Sequence, residues 1–121
     1  MKTYKNVKFD KNNKNMNIEK GSVGVYSYVN IKKCSIHHEE ERWHGKEEPF
    51  THCSLVMPLS GGGICSTNVL TGLKLIMKDG TKIYIYISNE ANQINSLNFY
   101  TDLKEAERVK KIIDKIIDKY K

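Results

Sequence analysis

Cys34, His37, His38, His44, His52 and Cys53 fall within twenty residues of one another. Thiolate and imidazole are the ligand types that hold zinc. A structural zinc needs four of them to converge. The spacing here matches no closed zinc pattern and contains no Cys-x-x-Cys pair. The expectation is therefore half-exposed strand histidines and reduced thiols, with no metal and no cofactor.

Other chemistry-bearing residues give equally plain readings. Gly61-Gly62-Gly63 could turn backbone amides toward a phosphate. No Gly-Lys-Ser/Thr follows it, and a hinge or wide turn accounts for it. Ser60 and Ser66 flank the glycines without a Gly-x-Ser-x-Gly elbow. Nothing near Cys65 visibly lowers its pKa. Glu39, Glu40 and Glu41 are adjacent, so on a strand they alternate sides rather than form a carboxylate pair. No catalytic residue is expected, and the chain reads as non-enzymatic.

Binding is better served. Trp43, with Arg42 beside it, has the character of a contact anchor near a turn, or of a residue closing one end of the core. Lys74, Lys82, Tyr84 and Tyr86 fall on one side of a hairpin. That pairing of cations with aromatic rings could stack on a base and neutralise a phosphate, or pack under a second sheet. Arg42, Trp43, Lys74, Lys82, Tyr84 and Tyr86 are the candidate ligand-binding residues.

These residues need elements to position them. Asp79-Gly80 between apolar runs is a hairpin signal. A two-residue loop would mix lysine and aliphatics on both faces. A three-residue loop, Lys78-Asp79-Gly80, pairs Leu75 with Ile83 and Leu73 with Ile85. That register gathers the aliphatics on one face and sends Lys74, Lys82, Tyr84 and Tyr86 to the other. Because a one-residue slip exchanges a strand's faces, the segregating register is expected.

The helix predicted next runs from Asp102 to Tyr120. Asp102 and Glu105 have the form of a capping box, with Thr101 as a second candidate cap. Leu103, Ala106, Val109, Ile113, Ile116 and Tyr120 recur at steps of three and four. An isolated helix of this length is marginal in water, so the stripe must cover something. The apolar hairpin face is the first choice and a helix–helix seam the second.

Upstream, residues 1–20 are rich in Asn and Lys and read as a mobile arm or an edge strand near Asn6–Asp10. Strands are expected at Ser22–Ile31, Lys32–Trp43, Phe50–Leu59 and Ile64–Leu70. Ile94–Tyr100 reads as one more strand or an irregular approach to the helix. The plan is α+β: a single domain over 21–121, with one bent antiparallel sheet of five to seven strands and a C-terminal helix packed on it.

With 121 residues, 39% of them hydrophobic, the chain can bury a real core. It has no run long enough to span a bilayer and no charged-then-apolar leader. A cytoplasmic location is expected. The net charge of +6 comes from lysine rather than arginine. Eight lysines in residues 1–33 face only Asp10 and Glu19, whereas the segment around Glu39–Glu48 is acidic. An excess of this kind favours an anionic partner, although the Asn, Lys and Ile bias also suits an AT-rich bacterial or phage coding sequence. Few aromatics interleave with the early lysines, so nucleic acid is not the expected partner.

The hairpin with its Lys-Asp-Gly turn, the run Phe99-Tyr-Thr-Asp-Leu-Lys-Glu-Ala-Glu-Arg-Val109 and the isoleucine-rich last helix resemble bacterial pleckstrin-homology-like domains over residues 51–121. The resemblance implies a strongly bent antiparallel sheet plugged by a C-terminal helix. It also implies a binding or scaffolding role, since that fold hosts unrelated functions. Lipid-headgroup binders of the family cluster basic residues in an early loop. Lys11, Lys14 and Lys20 are the candidates here, and they match no motif. The expected function is a binding domain for an anionic ligand, either a nucleotide-like small molecule or an acidic protein segment. Its alternatives are a phage-type protein sequestering a cyclic-nucleotide defence signal, or a structural oligomerisation module. A homo-oligomer suits either.

Overall fold

The structure is a computed structural model that describes residues 2–40, 68–93 and 96–120. Alternating apolar residues in the first twenty positions build a meander of three strands, β1 (Lys2–Tyr4), β2 (Val7–Asp10) and β3 (Asn15–Ile18). Val7 stands opposite Ile18 and Phe9 opposite Met16, and all four are buried. A fourth strand, β4 (Gly24–Ser27), pairs with β3 and completes the first sheet in the order β1-β2-β3-β4. Residues 2–18, offered by the sequence as an arm or an edge strand, thus supply part of the core.

After a 3-10 turn at Tyr28–Asn30 come β5 (Ile31–Glu40), β6 (Asn68–Met77) and β7 (Lys82–Tyr86). They form a second antiparallel sheet in that order, and β8 (Asn92–Gln93) pairs with the start of β6. Among the described residues the strands thus fall into two four-stranded sheets where one bent sheet of five to seven strands was expected, a small difference within the same α+β plan. What links them is backbone. Ser22 N–H donates to the Tyr84 carbonyl at 2.8 Å and Tyr86 N–H to the Lys20 carbonyl at 3.0 Å. Gly21, bridged to Ile85 between them, has φ +114°, and a Cβ there would lie 2.4 Å from the Tyr84 carbonyl oxygen. Only glycine fits that approach. The seam also satisfies the β7 edge, which would otherwise present unpaired amides.

The β6–β7 hairpin has the predicted register, Leu73 with Ile85 and Leu75 with Ile83. Gly80 N–H donates to the Met77 carbonyl at 2.9 Å and carries φ +91°, as a three-residue loop with glycine at its left-handed position requires. The first strand of the hairpin starts at Asn68, so Asn68–Leu70 of the short strand anticipated at Ile64–Leu70 belong to it; residues 64–67 lie outside the described residues. The expected strand Phe50–Leu59 and the triple-glycine connector lie outside the described residues.

The helix α1 spans Leu97–Lys119 and starts five residues before the expected Asp102. Ser96 is the cap, its hydroxyl accepting from Phe99 N–H at 3.2 Å. Asp102 has the side chain of a cap but lies inside the helix, where its carboxylate has other partners. Residues 97–100 are accordingly helical rather than extended. Phe99, Ala106, Val109 and Ile113 are buried. The last three join Leu73, Leu75 and Ile85 in the main core, so the helix covers the aliphatic hairpin face. Burial of Val109 and Ile113 contributes about 1.5–3 kcal/mol each, and of Ala106 less. Further along, Ile112, Ile116, Ile117 and Tyr120 are only half-buried. They pack against the core from its margin.

Candidate ligand-binding cleft

The chemically capable residues divide between the two ends of α1. At its N-terminal end, Asp102 is 3% exposed. It accepts from Lys5 Nζ at 2.7 Å, Ser88 Oγ at 2.8 Å and Asn92 Nδ2 at 2.8 Å. Ser88 Oγ in turn accepts from Thr71 N–H at 2.9 Å, and Lys5 N–H reaches Glu105 Oε2 at 3.2 Å. Asn6 Nδ2 adds bonds to the Tyr86 carbonyl and Asn89 Oδ1. The network ties the β1–β2 turn, the β7–β8 connection and the helix together. The Ser88 proton is committed to Asp102 and the residue is fully buried, so it has no path to a substrate.

Among the described residues, Cys34, His37 and His38 do not converge. The Cys34 thiol sits in the core and is pushed up to about 12 by burial and then by Asp114. His37 Nε2 lies 2.8 Å from Ser35 Oγ on the opposite face of β5. His38 stacks on Phe99 with ring centroids 5.3 Å apart, and its Nδ1 is 2.9 Å from Thr71 Oγ1. Burial, then His37, lowers its pKa to about 4. Among the described residues no group of three or more metal-ligating side chains comes together. His44, His52, Cys53 and Cys65 lie outside them.

The candidate ligand-binding residues are placed as follows. Arg42 and Trp43 lie outside the described residues. Lys74 stands opposite Tyr84, Tyr86 opposite Gly72 and Lys82 opposite Ile76, so the hairpin brings these four to one face, as its register predicts. Their exposure differs from the expectation. Tyr84 and Tyr86 are 7% and 5% exposed and pack with Leu70. Tyr86 Oη donates to Glu39 Oε1 at 2.9 Å, and that carboxylate is itself buried. A buried phenol finds a partner for its hydroxyl, and Glu39 supplies it across the sheet. The rings are spent on packing and offer no open stacking surface.

At the other end of α1 lies a cleft of about 850 Å³, within the size range of small-molecule sites, roughly 300–1,000 Å³. Three elements frame it: the β2–β3 turn with Lys11, Asn12 and Lys14, the 3-10 turn with Tyr28, and the end of α1 with Ile112, Lys115, Ile116, Lys119 and Tyr120. Phe9 completes the floor. Phe9, Tyr28 and Tyr120 form a chain of tilted rings with successive centroids 6.4 Å apart. Lys115 and Lys119 are one helical turn apart, which puts both ammonium groups on the same rim.

The turn is held by Asp10, whose carboxylate accepts from Asn12 N–H, Asn13 N–H and Asn13 Nδ2 at 3.0, 3.1 and 2.7 Å. Those bonds, led by the Asn13 amide, hold the Asp10 carboxyl below its usual range. Lys14, with φ 54°, closes the turn, and its carbonyl accepts from Tyr28 N–H at 2.9 Å. None of Lys11, Lys14, Lys115 and Lys119 forms an ion pair with a described residue. A helix C-terminus carries partial negative charge, which works against an anion. Here Lys78 Nζ donates to the Tyr120 carbonyl at 2.9 Å and offsets it.

Compared with models of known protein families, with characterised proteins and with solved structures, the chain matches none. Among the described residues, no helix is long and apolar enough to cross a membrane. Of the cleft residues, Lys11 and Lys14 stand out in the sequence as early-loop basics. Tyr28, Lys115, Lys119 and Tyr120 do not, because the wall they make joins parts of the chain from opposite ends.

Proposed function

We propose that the protein is a non-enzymatic binding module that takes an anionic ligand in the cleft between the β2–β3 turn and the end of α1. The observation that carries this is four exposed lysines, without acidic partners among the described residues, ringing an apolar floor. Unpaired cations around a concave surface raise the local concentration of anions. Concavity favours a small molecule over an acidic protein segment. What supports the pleckstrin-homology-like reading is the frame: two antiparallel sheets joined by backbone at Gly21 and Ile85, with α1 packed on the aliphatic hairpin face. The basic residues of its early loop then face the ligand.

Tripolyphosphate is a suitable probe, because it tests charge without any ring. It should raise the melting temperature of the full chain, with the effect fading as salt is added. Lys11→Glu combined with Lys115→Glu should abolish the rise. No rise in the parent chain, or an equal rise in the doubly reversed one, overturns the assignment.

A second reading, self-association, rests on β4. This edge strand and its flank expose Val23 and Val25 at 69% and 63%. Light scattering decides it: a monomer at high micromolar concentration ends this reading and leaves the first intact.

A further inference from the structure

We infer that the ligand of the cleft is a nucleotide carrying two or more phosphate charges, with its base against the half-buried ring of Tyr120 and its phosphates between the two lysine pairs. This rests on the reading of the cleft as an anion site and adds the ring.

The first support is the hydroxyl of Tyr28. The residue is 6% exposed, yet among the described residues its hydroxyl has no hydrogen-bond partner. No buried side-chain nitrogen or oxygen among them is left unsatisfied, so this hydroxyl is the part of the residue that reaches solvent, and the residue lines the cleft. A phenol locked by packing on all other sides is a fixed donor aimed at whatever occupies the space. Burial first, then Asp10 and Tyr120, raises its pKa, which keeps the proton in place.

The second support is the layout of charge around apolar surface. Lys11 and Lys14 stand on the turn, Lys115 and Lys119 on the helix, and Ile112, Ile116 and Tyr120 lie with them in the cleft lining. A ligand engaging both pairs needs more than one negative charge. A bare polyanion would leave the isoleucines and the ring unused. A fatty acid would leave one lysine pair and the Tyr28 hydroxyl unused. A base with a phosphate chain uses all of them. Tyr120 already carries a cation against its face, with Lys119 Nζ 5.6 Å from the ring centre. A base can take that face while the lysine turns to phosphate. Of the acids beside the cleft, Asp10 is bonded within its turn and Asp114 is paired with Lys110 at 2.6 Å.

Calorimetry with ATP, tripolyphosphate and adenosine at fixed ionic strength tests this on the full-length protein. ATP should bind about ten-fold tighter than tripolyphosphate, the worth of one base–aromatic stack, and adenosine more weakly than either. Tyr28→Phe should weaken ATP several-fold, and Tyr120→Leu about ten-fold, toward tripolyphosphate. The three-ligand series needs only the parent chain, so it decides the matter even if a variant fails to fold. ATP and tripolyphosphate of equal affinity would remove the base and leave the anion site standing. Binding by neither would remove both. Preferential ATP binding that both folded variants leave untouched would place the nucleotide elsewhere and overturn the inference.

Discussion

The two ends of α1 hold similar residue types in opposite conditions. Around Asp102 the lysine, serine and asparagine groups all point at one another. Around Tyr120 the four lysines point at no acid among the described residues, and a buried phenol turns its hydroxyl outward. The first arrangement stabilises the fold and has nothing left to offer a ligand. The second gives its apolar rings to the core but keeps its polar groups open to solvent. Polar groups bonded to one another mark construction, and solvent-facing ones gathered at a concave surface are candidates for a site. The contrast matters because the Ser88–Asp102 contact, seen alone, has the look of chemistry.

Mutation can break or sharpen that contrast. The largest effect is expected from Asp102→Ala, which strips partners from Ser88, Asn92 and Lys5. It should cost roughly 2–4 kcal/mol in urea unfolding while tripolyphosphate still binds whatever remains folded. A mild cost would mean that water replaces the carboxylate and that this end is not the anchor. His38 gives the next largest effect, through pH. Its folded pKa, lowered to about 4 from 6.5, means that the unfolded chain takes the proton first as pH falls. Its contribution is complete above about pH 6.5 and lost progressively down to about pH 4, on the order of 2 kcal/mol. Between pH 7 and 4.5 the parent chain should therefore lose more stability than His38→Gln, and parallel pH curves would refute the linkage.

Tyr86→Phe follows, at about 1–2 kcal/mol, because it leaves the buried Glu39 without the Tyr86 hydroxyl. The smallest effect belongs to the other end. Lys11→Gln with Lys115→Gln should change stability by under about 0.5 kcal/mol, or raise it slightly by relieving repulsion. If this pair destabilised the protein as much as Asp102→Ala, the division between construction and site would be gone.

Legibility in the sequence followed the same division. The β6–β7 register could be read because Asp79-Gly80 fixes the turn and only one pairing separates aliphatics from lysines. The α1 stripe could be read because its period is 3.6. The helix start could not, since Asp102 with Glu105 imitates a cap, and only the positions of Lys5, Ser88 and Asn92 reveal its other use. The first twenty residues hid their strands because Asn and Lys dilute the pattern, although Val7, Phe9, Met16 and Ile18 do alternate. Tyr84 and Tyr86 were misleading in a different way. A period of two says which residues share a face, but not which face is covered. The cleft was half visible, in Lys11 and Lys14. Its other wall depends on where the end of α1 meets the β2–β3 turn, and no local pattern encodes that.

One small contact has a larger consequence than its size suggests. The Tyr28 N–H to Lys14 carbonyl bond couples the lysine-bearing turn to the turn that carries the phenol, and Asp10 braces the first of these from within. If the cleft takes the proposed ligand, that guest meets a backbone already set. Only the lysine tips must be immobilised, at about 0.5–1.5 kcal/mol each. Recognition at such a place is selected by shape before it is tuned by charge, and salt would then weaken the grip without changing which molecule is preferred.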